Sequence, residues 1–148
     1  MSEQQQPPSG SLAYLPVTLF AAVMGVGGLG LAWRRAALAW GTPMWIATGL
    51  VLLAAALFLL IAILYAVKWL RFPAAARADL RHPVRMAFAP TLTIAILVLA
   101  TGLQDLTPGL AVALWWTGAI GHLLATLAAL TAWLSRPDIG LAQVTPAW

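Results

Sequence analysis

The sequence predicts an all-α integral membrane protein with four transmembrane helices. Of its 148 residues, 62% are hydrophobic and 8% are charged, whereas roughly a quarter of the residues in a soluble domain are charged. Four stretches carry no charged residue, and each is long enough to cross about 30 Å of hydrocarbon as a helix. They are residues 15–33, 44–67, 86–103 and 110–134.

The segments outside these stretches predict the orientation in the membrane. Residues 1–14 contain one acid and no base, so they lack the positive start of a signal peptide and are interpreted as a disordered tail. The loop 68–85 and the tail 135–148 together carry six Lys and Arg, whereas the loop 34–43 carries two. The positive-inside rule therefore predicts that both termini and the basic loop lie in the cytoplasm. The expected location is the plasma membrane.

The same charge distribution bears on partners. The sequence pI of about 10.8 would suit a nucleic-acid partner, but the bases follow helix ends and form no separate patch, so none is expected. The lipid bilayer is the expected partner. Short links at residues 41–43 and 104–109 contain turn-forming Gly and Pro, which favours antiparallel neighbours and hence two helical hairpins joined by the basic loop.

Small residues indicate where helices approach closely, because apolar surface gives no driving force between helices in lipid. One stripe of the first helix holds six of them: Thr18, Ala21, Ala22, Gly25, Gly28 and Ala32. Gly27 and Gly30 lie on another side. Such a stripe either packs against a helix or presents bare backbone to a cavity, and for Gly25 and Gly28 packing is the preferred interpretation.

The third helix has a narrower stripe of small residues, formed by Ala87, Thr91, Ala95 and Gly102. Pro90 lies in its first turns, and Pro16 has a similar place in the first helix. A proline inside a helix bends it and frees a carbonyl one turn earlier. Prolines are also common where a membrane helix simply begins, and the pattern does not decide between these two interpretations.

His122 is the ionisable residue predicted at membrane depth, near the middle of the fourth helix. It could serve a proton relay or bind a haem, but a neutral imidazole that hydrogen-bonds a neighbouring helix is preferred. Two-histidine haem ligation would require a dimer, because His82 lies in the basic loop. The four acids are scattered and there is no cysteine, so we predict no catalytic residues, metal or cofactor, and not an enzyme.

Several segments in order resemble the N-terminal part of the tellurite-resistance/dicarboxylate transporter family. They are residues 24–35 (MGVGGLGLAWRR), Lys68 with residues 71–73 (RFP), residues 79–84 (DLRHPV), and the proline-bearing third helix. The family includes bacterial TehA-like channels, the plant guard-cell slow anion channel and a yeast malate transporter. The resemblance covers residues 13–148.

The resemblance implies a ten-helix anion channel made of five hairpins, assembled as a homotrimer in the bacterial inner membrane. Odd-numbered helices, kinked by prolines, would line the pore for small monovalent anions or dicarboxylates, which permeate passively. It implies these pore-lining candidates: Pro16, Thr18, Gly25, Gly28, Pro90, Thr91 and Ala95. It also implies a basic cytoplasmic mouth, for which the candidates are Arg71, Arg77, Arg81 and Arg85, although topogenic anchoring explains these arginines equally well. His122 is then a helix-packing polar residue.

Four helices correspond to the first two of the five hairpins, and residues 135–148 would lead to an absent fifth helix. The family's aromatic gate lies on its ninth helix, so it has no counterpart here. We therefore expect a fragment that does not conduct by itself. The alternatives are a small structural or accessory subunit that packs against a partner membrane protein, and an electron carrier that uses His122 from two chains.

Overall fold

The computed structural model describes residues 12–81 and 90–135, and within these residues it is helical, with no strand. The described residues contain five α-helices: α1 Phe20–Trp40, α2 Met44–Arg71, α3 Pro73–Arg81, α4 Pro90–Leu103 and α5 Pro108–Ser135. Two short 3-10 turns, Leu12–Tyr14 and Val17–Leu19, precede α1. Most of the two predicted tails and the start of the third predicted span lie outside the described residues.

Among the described residues, three segments are long and apolar enough to cross a membrane: Val17–Trp40, Met44–Arg71 and Pro108–Thr131. They fall on the first, second and fourth predicted spans. Helix α4 ends at Leu103, where the third predicted span ends, but its described part has 14 residues, fewer than a crossing of about 30 Å requires. The all-helical membrane character is therefore confirmed, while a fourth span and the two-hairpin arrangement stay predictions.

Helix α1 ends seven residues beyond the predicted span, at Trp40, and the backbone explains why. Gly41 adopts the left-handed conformation with φ of 70°, which glycine tolerates without steric cost, and its amide donates to the Ala37 carbonyl at 3.0 Å. Pro43 then precedes the first residue of α2, and its carbonyl accepts a hydrogen bond from Trp33 Nε1 at 3.1 Å. Arg34 and Arg35, predicted in a loop, are thus helical.

The segment predicted as a basic loop, residues 68–85, is also largely helical as far as Arg81. Helix α2 continues through Lys68 to Arg71 and stops at Phe72, whose φ of −132° and ψ of 55° are not helical. Pro73 then begins α3, a position where the missing proline N–H costs no hydrogen bond. The charges that mark the end of an apolar stretch do not end the helix.

Helix α1 packs on α2 and α4, and α4 packs on α5. The ring of Phe20, 1% exposed, lies 5.7 Å from the ring of Phe58 and 6.1 Å from that of Tyr65. The outer sides of α2 and α5 expose many leucines, as expected for surfaces that face lipid. The buried cluster around α1 consists of Val17, Phe20, Val23, Ala54, Ile61, Ala95 and Leu99.

Glycines allow these helices to approach. A Cβ added at Gly27 would lie 2.7 Å from Val98 Cγ1, and one at Gly102 would lie 2.8 Å from Val51 Cγ1. The corresponding distance at Gly118 is 2.9 Å, to Leu97. These separations are shorter than carbon atoms can adopt, so the α1–α4, α2–α4 and α4–α5 contacts depend on the absence of a side chain at the three glycines.

Candidate functional site

Helix α1 carries small residues on two opposite faces, and the described helices pack against one of them. Gly27 and Gly30 are buried against the neighbouring helices. On the opposite side, an added Cβ at Gly25 or Gly28 would meet no described atom within 4 Å. The preferred interpretation of Gly25 and Gly28 as packing residues is therefore not what the described helices show. We call the uncovered stripe the open face: Thr18, Ala21, Ala22, Gly25, Gly28 and Ala32.

The open face is long and uncharged. Ala21, Ala22, Gly25 and Ala32 are exposed, whereas Thr18 and Gly28 are half-buried. From Thr18 to Ala32 it extends about 21 Å at 1.5 Å per residue, which is most of the hydrocarbon thickness of about 30 Å. The exposed side chain of Leu29, four residues after Gly25, lies in the same stripe. A molecule beside the face would therefore meet methyl groups, a hydroxyl, helix backbone and one leucine side chain.

Pro16 is not inside an α-helix. It lies just before Thr18, the first residue of the open face, and we call the segment from Leu15 to Thr18 the entry. Pro16 is exposed and extended, with φ of −80° and ψ of 143°, and it precedes the Val17–Leu19 turn. The resemblance implied a proline kink at this position, but Pro16 lies between the 3-10 turns Leu12–Tyr14 and Val17–Leu19 and before α1, so it bends no α-helix among the described residues. Pro90 is the first residue of α4, and its carbonyl accepts the Thr93 hydroxyl at 2.8 Å.

The two remaining pore-lining candidates lie where α4 meets α1. Thr91 Oγ1 is 3.5 Å from the Val17 carbonyl oxygen. Ala95 is 0% exposed and belongs to the buried cluster around Phe20. Both residues therefore help to hold α4 against the start of α1, and Ala95 offers no surface to a solute within the described residues.

A buried ion pair, which the sequence did not predict, adjoins the entry. Lys68 in the last turn of α2 and Asp79 in α3 form a salt bridge, with side chains 1% and 5% exposed. The same ammonium donates to the Leu15 carbonyl at 2.8 Å and lies 5.5 Å from the centre of the Tyr65 ring. Counting charges by segment could not reveal this pair, since it depends on α3 folding back against α2.

At the other end of α1, Arg34 caps the last turn of α4. Its guanidinium donates to the Gly102 carbonyl at 2.6 Å and the Thr101 carbonyl at 3.4 Å, and it pairs with Asp105 at 3.2 Å. A cation suits this position because the carbonyls of a final helical turn have no partners within the helix. Arg35 lies beside it, in a groove of about 420 Å³.

His122 lies on α5 where that helix meets α4. Its Nδ1 is 3.1 Å from the Thr93 hydroxyl oxygen, and that hydroxyl donates to the Pro90 carbonyl. A His122 tautomer with its hydrogen on Nδ1 would donate to the Thr93 hydroxyl oxygen while that hydroxyl donates to the carbonyl. This is the contact that an interhelical hydrogen-bonding histidine requires.

The candidates for a basic mouth are only partly described. Arg71 at the end of α2 and Arg77 on α3 are exposed. Arg81 is the last residue of α3, and Arg85 lies outside the described residues. Arg71 and Arg77 thus lie on α2 and α3, the two helices that contact the Leu12–Tyr14 turn before α1.

Comparison with known proteins places the chain in a family. Residues 14–148 match the model of the SLAC1 family, described as voltage-dependent anion channel. The chain belongs to this family. The family resemblance drawn from the sequence is thereby confirmed, and so is the prediction that the chain is not an enzyme, because members of this family are channels and transporters.

Individual relatives agree with the assignment. The chain is 31% identical over 105 residues to an uncharacterised transporter of Methanocaldococcus jannaschii, covering 70% of this chain and 30% of that protein. It is 32% identical over 94 residues to a second uncharacterised transporter of that organism, covering 62% and 28%. It is 30% identical over 135 residues to the S-type anion channel SLAH3 of Arabidopsis thaliana, covering 87% and 21%. The chain thus spans less than a third of the length of these relatives.

Proposed function

We propose that the chain forms part of an anion-conducting pore and that the open face of α1 is one wall of that pore. The observation that carries this proposal is that Gly25 and Gly28 face no described atom within 4 Å, in a chain whose family is that of voltage-dependent anion channels. A membrane helix that exposes glycine to lipid gains nothing from it, whereas close access to the backbone is useful beside a permeating ion.

The chemistry of the open face suits passive permeation better than tight binding. A charged wall would hold a counter-ion strongly, and conduction requires that an ion leaves as readily as it enters. The face offers methyl groups, backbone, the Leu29 side chain and the Thr18 hydroxyl, none of them charged, so we infer selection by pore width among small monovalent anions or dicarboxylates. Arg71 and Arg77, which are exposed, would raise the local anion concentration at the cytoplasmic mouth, together with Arg81 and Arg85.

We further propose that additional helices complete the pore. The small residues Ala95 and Gly102 of α4 are buried in the core. Among the described helices, α1 therefore supplies one wall of the proposed pore, and a single wall cannot enclose a pore. The chain covers 21% to 30% of the length of its relatives, which supports a correspondence to the N-terminal portion of a longer channel. We propose a homotrimeric assembly in a bacterial inner membrane with cytoplasmic termini, and no conduction by residues 1–148 alone.

Anion efflux from proteoliposomes tests the proposal. The protein is expressed from its gene with all of its natural coding sequence, purified, and reconstituted with chloride, nitrate or malate inside the vesicles. We expect efflux of at least one of these anions, and we expect Gly25→Leu and Gly28→Leu to abolish it. No efflux of any anion would contradict the channel assignment, and co-purification of a second membrane protein with that silent chain would favour the accessory-subunit alternative.

The matched control uses a position on the lipid-facing side of the same bundle. Leu59 of α2 is 61% exposed, so Leu59→Ala changes side-chain volume away from the open face. We expect the Leu59→Ala variant to release anions at the same rate as the wild-type protein. Efflux from residues 1–148 alone would contradict the proposal that further helices complete the pore, while leaving the role of the open face standing.

A further inference from the structure

The ammonium of Lys68 joins three segments that are distant in the chain. It belongs to the last turn of α2 and bonds the Asp79 carboxylate of α3 and, at 2.8 Å, the Leu15 carbonyl that lies 53 residues earlier. An ammonium has three donors, and these two acceptors lie on different segments. We call the group formed by Lys68, Asp79 and the Leu15 carbonyl the Lys68 junction.

Stability alone does not explain why the Lys68 junction contains a buried ion pair. Both side chains are buried, and removing two charges from water carries a large desolvation penalty that their mutual attraction has to offset. Apolar residues of similar volume at such a site are often as stabilising or more so. The ion pair supplies a directional contact that apolar residues cannot: the Lys68 ammonium is held at one point and donates to the Leu15 carbonyl.

That carbonyl lies in the entry, directly before the open face. Leu15 is followed by the extended Pro16 and by the Val17–Leu19 turn that leads into α1, and Thr18 is the first member of the face. Phe20, held between the rings of Phe58 and Tyr65, fixes the first turn of α1 by packing. Packing fixes how α1 sits against α2, while the junction fixes where the chain before α1 lies.

We propose that Lys68 is a positioning residue for the pore entry: through the junction it holds Leu15, and thereby Pro16 and Thr18, in place at the start of the open face. Asp79 orients the ammonium, and the Leu15 carbonyl receives a hydrogen bond from it. This inference rests on the proposed function for its consequence in transport, but the position of the entry segment can be measured without any transport.

The test exploits the absence of cysteine from the chain. Thr18→Cys provides a single thiol at the entry, and its rate of reaction with a membrane-impermeant maleimide in proteoliposomes reports how the entry is held. Ala32→Cys, at the other end of the open face, is the matched control. Each reporter is combined with the intact junction, with K68M/D79L, which replaces the pair by apolar residues, and with K68R, which keeps a cationic donor.

We expect K68M/D79L to remain folded and the thiol of the Thr18→Cys reporter to react several-fold faster in it than with the intact junction. The Ala32→Cys reporter should be unchanged, and K68R should stay close to the intact rate. If the apolar pair prevents folding, K68Q/D79N serves instead, because glutamine is one atom shorter than lysine and cannot hold both acceptors. An unchanged rate at the entry in either folded variant would overturn the proposal. Absent efflux from the intact protein would instead refute the channel function and leave this measurement valid.

Discussion

The two faces of α1 provide a matched test of the packing, because Gly25 and Gly27 are two residues apart in the same helix. Replacing either by alanine removes the same backbone freedom and favours the helix by about 1 kcal/mol. At Gly25 the new methyl group meets no described atom within 4 Å, whereas at Gly27 it would lie 2.7 Å from Val98 Cγ1 and 3.5 Å from Ala54 Cβ. The difference between the two variants therefore isolates the contact.

The contact at Gly27 cannot be relieved by a small side-chain rotation. Val98 is β-branched and lies within α4, where valine has one strongly preferred χ1 rotamer. Relief therefore requires α1 and α4 to separate, and overpacking of this kind costs about 1–3 kcal/mol. Because the helix gain of about 1 kcal/mol is common to both variants, it cancels in their difference. We expect Gly25→Ala to be neutral or stabilising and Gly27→Ala to be destabilised relative to it by about 1–3 kcal/mol.

Reversible unfolding in mixed detergent micelles, followed by circular dichroism, measures both free energies of unfolding. The cycle of Gly27→Ala with Val98→Ala identifies the cause, because the shortened partner makes room for the added methyl group. We expect a favourable coupling energy of about 1 kcal/mol or more between the two changes. Equal stability of the Gly25 and Gly27 variants, or strictly additive effects in the cycle, would refute the assignment of the packed and open faces.

Two further contacts between helices give predictions of different size, both measured in the same unfolding assay. Arg34→Ala should lower the free energy of unfolding by about 1.5–3 kcal/mol, because charged donors to the last carbonyls of α4 are lost. Asp105→Asn should lower it by less than about 1 kcal/mol, because that carboxylate is largely exposed, and the control Arg35→Ala should leave it nearly unchanged. For His122 and Thr93, a double-mutant cycle of His122→Ala with Thr93→Val should give a coupling of about 0.6 kcal/mol, as is usual for hydrogen bonds between membrane helices. A coupling near zero would show that the imidazole and the hydroxyl are adjacent without stabilising each other.

The sequence predicted which stretches are helical far better than where each helix ends. An apolar stretch is found by its lack of charge, so its predicted end is the first charged residue. The physical end is set by the backbone: Gly41 ends α1 after two arginines have been included, and Phe72 ends α2 after Lys68 and Arg71. Long cationic side chains tolerate this, because their charged groups reach carbonyls or water beyond the apolar region.

Which glycine face packs was not predictable from the helix itself. Gly25 and Gly28 repeat at the same spacing as Gly27 and Gly30, and both pairs lie in a run of small residues. Periodicity shows that two glycine faces exist, but the volume opposite each decides its role. That volume comes from other helices, chiefly Val51 and Val98 at the packed face, and no local pattern in α1 refers to them.

The ion pairs change what the basic residues mean for the two sides of the membrane. For topology, lysine and arginine count irrespective of neighbouring acids, so the contrast of six bases against two is unaffected by pairing. For the electric field that an anion feels, opposite charges cancel. Lys68 is offset by Asp79 and Arg34 by Asp105.

The charges left without an ionic partner among the described side chains are then Arg71 and Arg77 on one side and Arg35 on the other. In the predicted orientation Arg81, Arg85 and Arg136 add to the first side, so the side with the basic segment keeps the larger cationic charge. For the proposed pore, the attraction of anions to the cytoplasmic mouth would therefore depend on Arg71 and Arg77, with Arg81 and Arg85, and not on Lys68, whose charge Asp79 offsets.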